Sequence, residues 1–246
     1  MSKTVAAIIC AAGPGTRFGG KRKKQCADVD GRAVFVRSVE LFSDHKAIKQ
    51  VLLGISPDDE EMVDVKWGPN LKFFGVKLFF GGEQRFDTVG NGLKLVKDDI
   101  DLVAVHDACR CCVTAEIIDK TIAAAEKSGA AIPACPVAAT IKQGKDGVIV
   151  KTVDRSDLFE AQTPQVFDAK LLRKAYANLK NLDQDKISDD AQLVEALGET
   201  VTIVETDSSN IKITRVSDIA IAEAIIKARA KLAVKGPIGP YIEAQW

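Results

Sequence analysis

Apolar runs alternate with stretches of helical period along most of this chain. Residues 5–10 (VAAIIC) are continuously apolar and end at a glycine-rich loop, the pattern of a strand covered on both faces. Residues 33–43 set Val36, Val39 and Leu41 on a helical stripe. QVLLGI (50–55) reads as a second strand, stopped by Ser56-Pro57, and VKLFF (76–80) as a third, stopped by Gly81-Gly82. Over 84–97, Val89, Leu93 and Val96 recur at helical spacing. LVAVH (102–106) is strand-like and runs into Asp107; 114–127 is helical, with Ile117, Ile118, Ile122 and Ala125 inward; AAIPACPV (130–137) is a further strand. Helices are predicted over 168–180, 189–197 and 217–234, the last carrying Ile219, Ile221, Ile225 and Ile226, and a strand over VTIVE (201–205).

Strand, loop and helix repeated in this way predict an α/β fold: a Rossmann-like, mostly parallel twisted sheet flanked by helices. Ligands of such sheets sit outside the carboxyl ends of the strands. The loops at 11–25, 81–88 and 106–112 are therefore expected to meet in space. The pattern changes at 138–155, where two alternating segments surround Gly144-Lys145-Asp146-Gly147, a hairpin signal. This hairpin has few large apolar residues; it is either a plain surface hairpin or an arm that packs on another subunit. One domain is expected over 1–234, including an arm at about 138–158, followed by an irregular tail at 235–246.

Composition narrows the function classes. Of the 246 residues, 34 are Lys or Arg and 34 are Asp or Glu, a net charge of zero. That balance argues against a nucleic-acid coat or a polybasic membrane binder. No apolar run reaches the ~18 residues of a membrane span. The N-terminal apolar stretch is followed, not preceded, by its basic cluster, which is the wrong order for a signal peptide. The six cysteines (10, 26, 109, 111, 112 and 135) show no framework spacing, so reduced thiols in the cytoplasm are expected.

Three stretches carry candidate chemistry. AAGPGTRFGGKRKKQ (11–25) combines Gly13 and Gly15 with Arg17, Lys21, Arg22, Lys23 and Lys24. Glycines let backbone N–H groups approach a phosphate, and the cations neutralise it. The loop is neither a Walker motif nor G-x-G-x-x-G, because Phe18 fills the third glycine position. A solvated basic turn is the plainer alternative. VHDACR (105–110) places Asp107 just past a strand, where a carboxylate holds a metal or a hydroxyl, or caps the next helix. Cys109 and Cys112 form a C-x-x-C without the second pair that zinc requires. Arg85, Thr88, Thr140, Arg155, Thr163, Ser188 and Lys212 are scattered cations and hydroxyls. With only two histidines and no evident nucleophile–base set, the sequence suits a substrate that is already nucleophilic, such as a phosphate monoester.

In their order, AAGPGTRFGGKRKKQ, GGEQRFDTVGNGL, VHDACR, TIK, TVDR, EAQTPQVF, SDDAQLVEALG and NIKITRVSDIAIAE resemble the 2-C-methyl-D-erythritol 4-phosphate cytidylyltransferase family, from about residue 4 to about 230. The resemblance implies a nucleotide-diphospho-sugar transferase-like fold. It also implies transfer of a cytidylyl group from CTP to methylerythritol phosphate with Mg²⁺, in a cytoplasmic homodimer of the non-mevalonate isoprenoid route. By that resemblance Arg17 and Lys24 face the triphosphate and its transition state, as does Lys212. Ala11, Ala12, Gly13 and Gly15 wrap the nucleotide, and Gly82, Glu83 and Thr88 surround cytosine. Asp107 lies near the ribose and the metal. Arg110, Thr140, Arg155, Thr163 and Ser188 serve the alcohol phosphate, with Thr140 and Arg155 reaching the partner's site on the arm. The chain departs from the family pattern at Lys23, Cys109, Cys111 and Ser188, and at Ala139, where an Asp is usual. Two alternatives stay open: a ribitol 5-phosphate cytidylyltransferase, which shares the glycine loop, GGxxR and NIKIT, and a homologue that binds nucleotide without turnover.

Overall fold

A computed structural model describes residues 3–19 and 23–234. In chain order the elements are β1 (Val5–Cys10), β2 (Asp28–Val29), β3 (Arg32–Ala33), α1 (Val34–Ser43), β4 (Ile48–Ile55), α2 (Glu60–Phe73), β5 (Lys77–Phe80), α3 (Arg85–Leu93), β6 (Leu102–Asp107), α4 (Ala115–Ser128), β7 (Ala130–Pro136), β8 (Ile141–Lys145), β9 (Val148–Val153), β10 (Phe159–Ala161), β11 (Gln165–Asp168), α5 (Ala169–Asn178), α6 (Ala191–Glu195), β12 (Thr202–Glu205) and α7 (Ser217–Val234).

β1 lies at the centre of the main sheet, parallel to β4 on one side and β6 on the other, with β5 outside β4. Antiparallel β11 then separates β6 from β7. β10 continues along the same edge of β7, and β12 pairs parallel to its other edge. The carboxyl ends of β1, β4, β5 and β6 thus share one rim. Both faces are covered, which explains why β1 is apolar throughout rather than alternating. Val5, Ala7 and Ile9 pack with α1 and α4, whereas Ala6 and Ile8 pack with α3 and α5.

The strands and helices read from periodicity recur within a few residues of their expected ends. On α1 the buried residue near the C-terminus is Phe42, with Leu41 only half-buried; on α7 Ala222 is buried and Ile221 is exposed. Three features were not legible. α2 contains Gly68-Pro69, which punctuates its pattern like a turn, and it buries only Val63 and Leu71. β10 and β11 are too short for periodicity to register. Lys21, Arg22 and the 235–246 tail lie outside the described residues.

The 138–155 segment is the expected hairpin. β8 and β9 pair only with each other, and Asp146 and Gly147 both adopt left-handed backbone at its tip, as a tight hairpin turn requires. A third cluster of buried residues lies beneath α7, with Phe18, Val29, Val34 and Ile213 around Cys109, Cys111 and Cys112. These thiols fill space as small apolar groups. Among the described residues, no group of three or more metal-ligating side chains is assembled, and no helix is long and apolar enough to cross a membrane.

Candidate active site

The three loops predicted to meet do so. A cavity of about 480 Å³ at the strand rim is lined by Cys10 to Pro14, Lys24 and Gln25, by Gly82 to Arg85 with Thr88, and by Asp107, Cys109 and Lys212. Its shape follows from local packing. Gln25, buried, donates from Nε2 to the Ala11 carbonyl at 2.8 Å and the Gly13 carbonyl at 3.3 Å, pinning the first loop. Gly15 turns the chain with φ 67°, and a Cβ there would stand 3.3 Å from Cγ of Lys24. On the opposite wall, a Cβ at Gly81 would stand 2.3 Å from that of Ala12, and one at Gly82 would stand 2.2 Å from that of Asp87. Glycine at 81 allows the two loops to close on each other, and glycine at 82 allows its own loop to fold against the first turn of α3. Thr88 Oγ1 accepts from the Gly82 N–H at 3.1 Å.

Asp107 is the centre of the charged floor. Its Oδ1 accepts from Arg85 Nε at 2.8 Å, and its Oδ2 lies 2.6 Å from Lys212 Nζ. Burial favours the neutral acid, but the two cations outweigh it and hold the carboxyl well below the usual carboxylate range. Likewise, burial opposes the charge of Arg85, but Asp190 and Asp107 outweigh it and keep the guanidinium protonated. Lys212 reaches Asp107 because the neighbouring Ile213 is buried and donates its N–H to the Cys109 carbonyl at 2.8 Å. Asp107 does not cap the next helix; Thr114 does, accepting from the Ile117 N–H. His106, one residue earlier, is buried against Phe42, and burial pushes its pKa down to about 3. It is therefore neutral. Burial also pushes the Cys10 thiol up to about 12 and the Cys109 thiol up to about 11, so neither is a thiolate near neutrality.

The other expected site residues fall into three groups. Ala11, Ala12, Gly13, Lys24, Gly82, Glu83, Thr88, Asp107 and Lys212 line the cavity, with Gly15 behind Lys24. Arg17 is exposed on a single helical turn beyond this lining, and Ser188 lies in an adjoining cleft that shares Glu83, Gln84 and Arg85 with it. Thr163 sits behind the floor: its Oγ1 accepts from the Asp107 N–H at 3.1 Å and lies 3.0 Å from His106 Nδ1. Arg110 spends its two terminal nitrogens on the carbonyls of Asn210 and Ala161, at 2.8 and 3.0 Å, tying the Lys212 loop to β10. Thr140 and Arg155 are exposed on the arm and line none of this cavity. Lys23, the added cation, is paired with Asp59 at 2.9 Å and does not line the cavity.

Sequence reasoning missed Gln25 as the loop's anchor, and Asp190 and Tyr176 behind Arg85. Arg85 Nη1 donates to Asp190 Oδ2 at 2.7 Å, and Tyr176 Oη donates to Asp190 Oδ1 at 2.5 Å. The only available signal was polar residues beside apolar helix positions, which does not distinguish a buried ion pair from a solvated one.

Comparisons with known proteins identify the family. The family model described as "IspD: 2-C-methyl-D-erythritol 4-phosphate cytidylyltransferase" matches residues 5–228. A protein of that name from Endomicrobium trichonymphae is 41% identical over 224 residues, covering 91% of this chain and 99% of the relative. One from Alkaliphilus oremlandii is 36% identical over 231 residues, covering 93% and 97%. Among solved structures, 4-diphosphocytidyl-2C-methyl-D-erythritol synthase from Anaerococcus prevotii superposes with a TM-score of 0.78 at 31% identity, over 92% of this chain and 97% of that one. The cytidylyltransferase from Thermus thermophilus superposes with a TM-score of 0.76 at 33% identity, over 92% of this chain and all of that one. The chain belongs to the 2-C-methyl-D-erythritol 4-phosphate cytidylyltransferase family.

Proposed function

We propose that this chain transfers a cytidylyl group from CTP to 2-C-methyl-D-erythritol 4-phosphate, releasing pyrophosphate. The observation that carries this reading is the cavity at the strand rim. There, the glycine loop and Lys24 share one lining with the Asp107–Lys212 pair. An oxygen of the alcohol phosphate attacks the α-phosphorus of CTP; the new O–P bond forms as the bond to the β-phosphate oxygen breaks, and the electron pair leaves with pyrophosphate. A phosphate monoester is already anionic near neutrality, so no general base is needed. The neutral, enclosed His106 fits that economy.

The residues then act by position and charge. Lys24, Arg17 and Lys212 neutralise the triphosphate and the pentavalent phosphorus. The 11–15 loop wraps the nucleotide, and Gly82, Glu83 and Thr88 shape the base pocket. Mg²⁺ is bound in many such sites by one or two carboxylates, the substrate phosphates and water. Asp107 suits that arrangement: it is ionised, it faces the cavity, and each of its oxygens keeps a further lone pair. When bound, the metal would withdraw charge from the phosphates.

The alcohol-phosphate half is assigned to Ser188 and the arm residues Thr140 and Arg155, braced by Arg110, which holds the Asn210 and Ala161 carbonyls, and by Thr163 behind Asp107. The arm projects from the sheet with Val148, Ile149 and Val150 at 69%, 62% and 60% exposure, so a second copy of the chain is its natural cover. A cytoplasmic homodimer is the proposed state, and the six free thiols fit a reducing compartment. The test is pyrophosphate release with CTP and Mg²⁺, offering methylerythritol phosphate and ribitol 5-phosphate in parallel. Strong preference for the first is expected. Preference for the second, or CTP binding without turnover on either, overturns the substrate assignment.

A further inference from the structure

Asp190 has no contact with the cavity, yet it is one of the most firmly held carboxylates in the molecule. It is fully buried. Each of its oxygens has one strong partner, Arg85 at 2.7 Å and Tyr176 at 2.5 Å. Its main chain is fixed independently. Gln165 on β11, also buried, accepts from the N–H groups of Asp190 and Ala191 at 3.0 and 3.1 Å, and its amide nitrogen donates to Asp189 at 2.8 Å. The sheet, α5 and the start of α6 therefore converge on this side chain.

What it holds is the charged floor. Arg85 bridges Asp190 and Asp107, and Asp107 in turn carries Lys212. The four formal charges cancel. The two ends differ in freedom: the Asp190 side chain is 1% exposed, and that of Lys212 is 34% exposed. A buried guanidinium with a single carboxylate would be drawn toward it and away from its present seat, carrying Asp107 with it. Two carboxylates on different edges of the guanidinium fix its plane.

We propose that Asp190, backed by Tyr176, is a positioning residue of the active site: it orients Arg85 so that Arg85 sets the Asp107 carboxylate and, through it, the resting place of Lys212. Its effect on the reaction passes through Arg85. This rests on the functional reading above, and its test is built to separate the two.

The experiment is a double-mutant cycle of Asp190→Asn and Arg85→Gln. It is read twice, on kcat/KM for pyrophosphate release and on CTP affinity by calorimetry. Asp190→Asn keeps the volume and a hydrogen bond to one neighbour but removes the charge. It is expected to lower kcat/KM about 10- to 100-fold, and the double variant is expected to be no worse than Arg85→Gln alone, because residues of one network are strongly non-additive. A merely structural role would give additive losses. Additive effects, or an Asp190→Asn enzyme within twofold of the parent, overturn the proposal. If Asp190→Asn does not fold, Tyr176→Phe takes its place in the cycle, with a smaller loss that must likewise vanish in the Arg85→Gln background. A parent chain inactive on both alcohol phosphates would instead overturn the functional reading, and the affinity cycle would still judge Asp190.

Discussion

The floor of the cavity and the arm make opposite use of charged residues. On the floor, Asp107, Arg85 and Asp190 are buried or half-buried and paired with one another at distances of 2.7 to 2.8 Å. On the arm, Thr140 and Arg155 are exposed, and among the described residues the Arg155 side chain bonds the carbonyl of Ala138, within the same arm. Charges that are to act on a transition state are worth most when held in advance, in place of water that would have to reorganise. The proposed nucleotide half is held in that way within a single chain. The arm is finished as a secondary structure but not as a binding surface, and the proposed second copy would complete it.

This contrast can be broken at either end. The largest effect is expected at Lys24. Lys24→Ala should lower kcat about 10²- to 10³-fold, the loss typical for one preorganised charge partner of a transition state. Its melting temperature should stay near that of the parent, since Lys24 is half-buried and belongs to none of the three buried hydrophobic clusters. Unchanged turnover would remove Lys24 from the mechanism. Next comes the arm. Arg155→Ala should raise the KM for the alcohol phosphate about 10- to 100-fold while leaving that for CTP nearly unchanged, as loss of one charge-assisted contact predicts. Equal changes in both would detach Arg155 from that half of the site.

The smallest effect concerns what burial costs the floor. His106 titrates near 6.5 when unfolded and about 3 when folded, so the unfolded chain binds the extra proton first. The stability associated with a neutral His106 is present above pH 6.5 and is lost as the pH falls toward 3. Between pH 7 and pH 5 the loss should be roughly 2 kcal/mol. His106→Phe, which keeps a ring beside Phe42, should flatten that part of the profile in denaturant melts, whereas a parallel slope would place the acid sensitivity elsewhere.

The sequence made the sheet legible because its strands are buried on both faces and therefore apolar without interruption. VAAIIC and LVAVH are unmistakable for that reason. The rim was legible too, since the glycines that let loops approach are themselves a pattern. What escaped was long-range pairing. Nothing in SDDAQL or KAYAN indicates that Asp190 and Tyr176 meet 14 residues apart in sequence, or that Asp190 reaches Arg85 across 105. Arg110 illustrates the converse. It stands beside Asp107 in sequence, but its terminal nitrogens are turned to the backbone of Ala161 and Asn210. Cys109 and Cys112 suggested chemistry by their C-x-x-C spacing, and the fold packs them with Cys111 under α7.

The central claim is that one chain supplies the cavity and another supplies the arm. It is tested most directly by mixing Lys24→Ala and Arg155→Ala chains after dissociation and reassembly, assayed with the alcohol phosphate well below KM, where each variant alone is nearly inactive. If the arm serves its partner, each mixed dimer has one site with both residues intact, and random pairing should restore about a quarter of the parent activity. Activity no greater than the sum of the two variants would show that the arm serves its own chain, and would contradict the account.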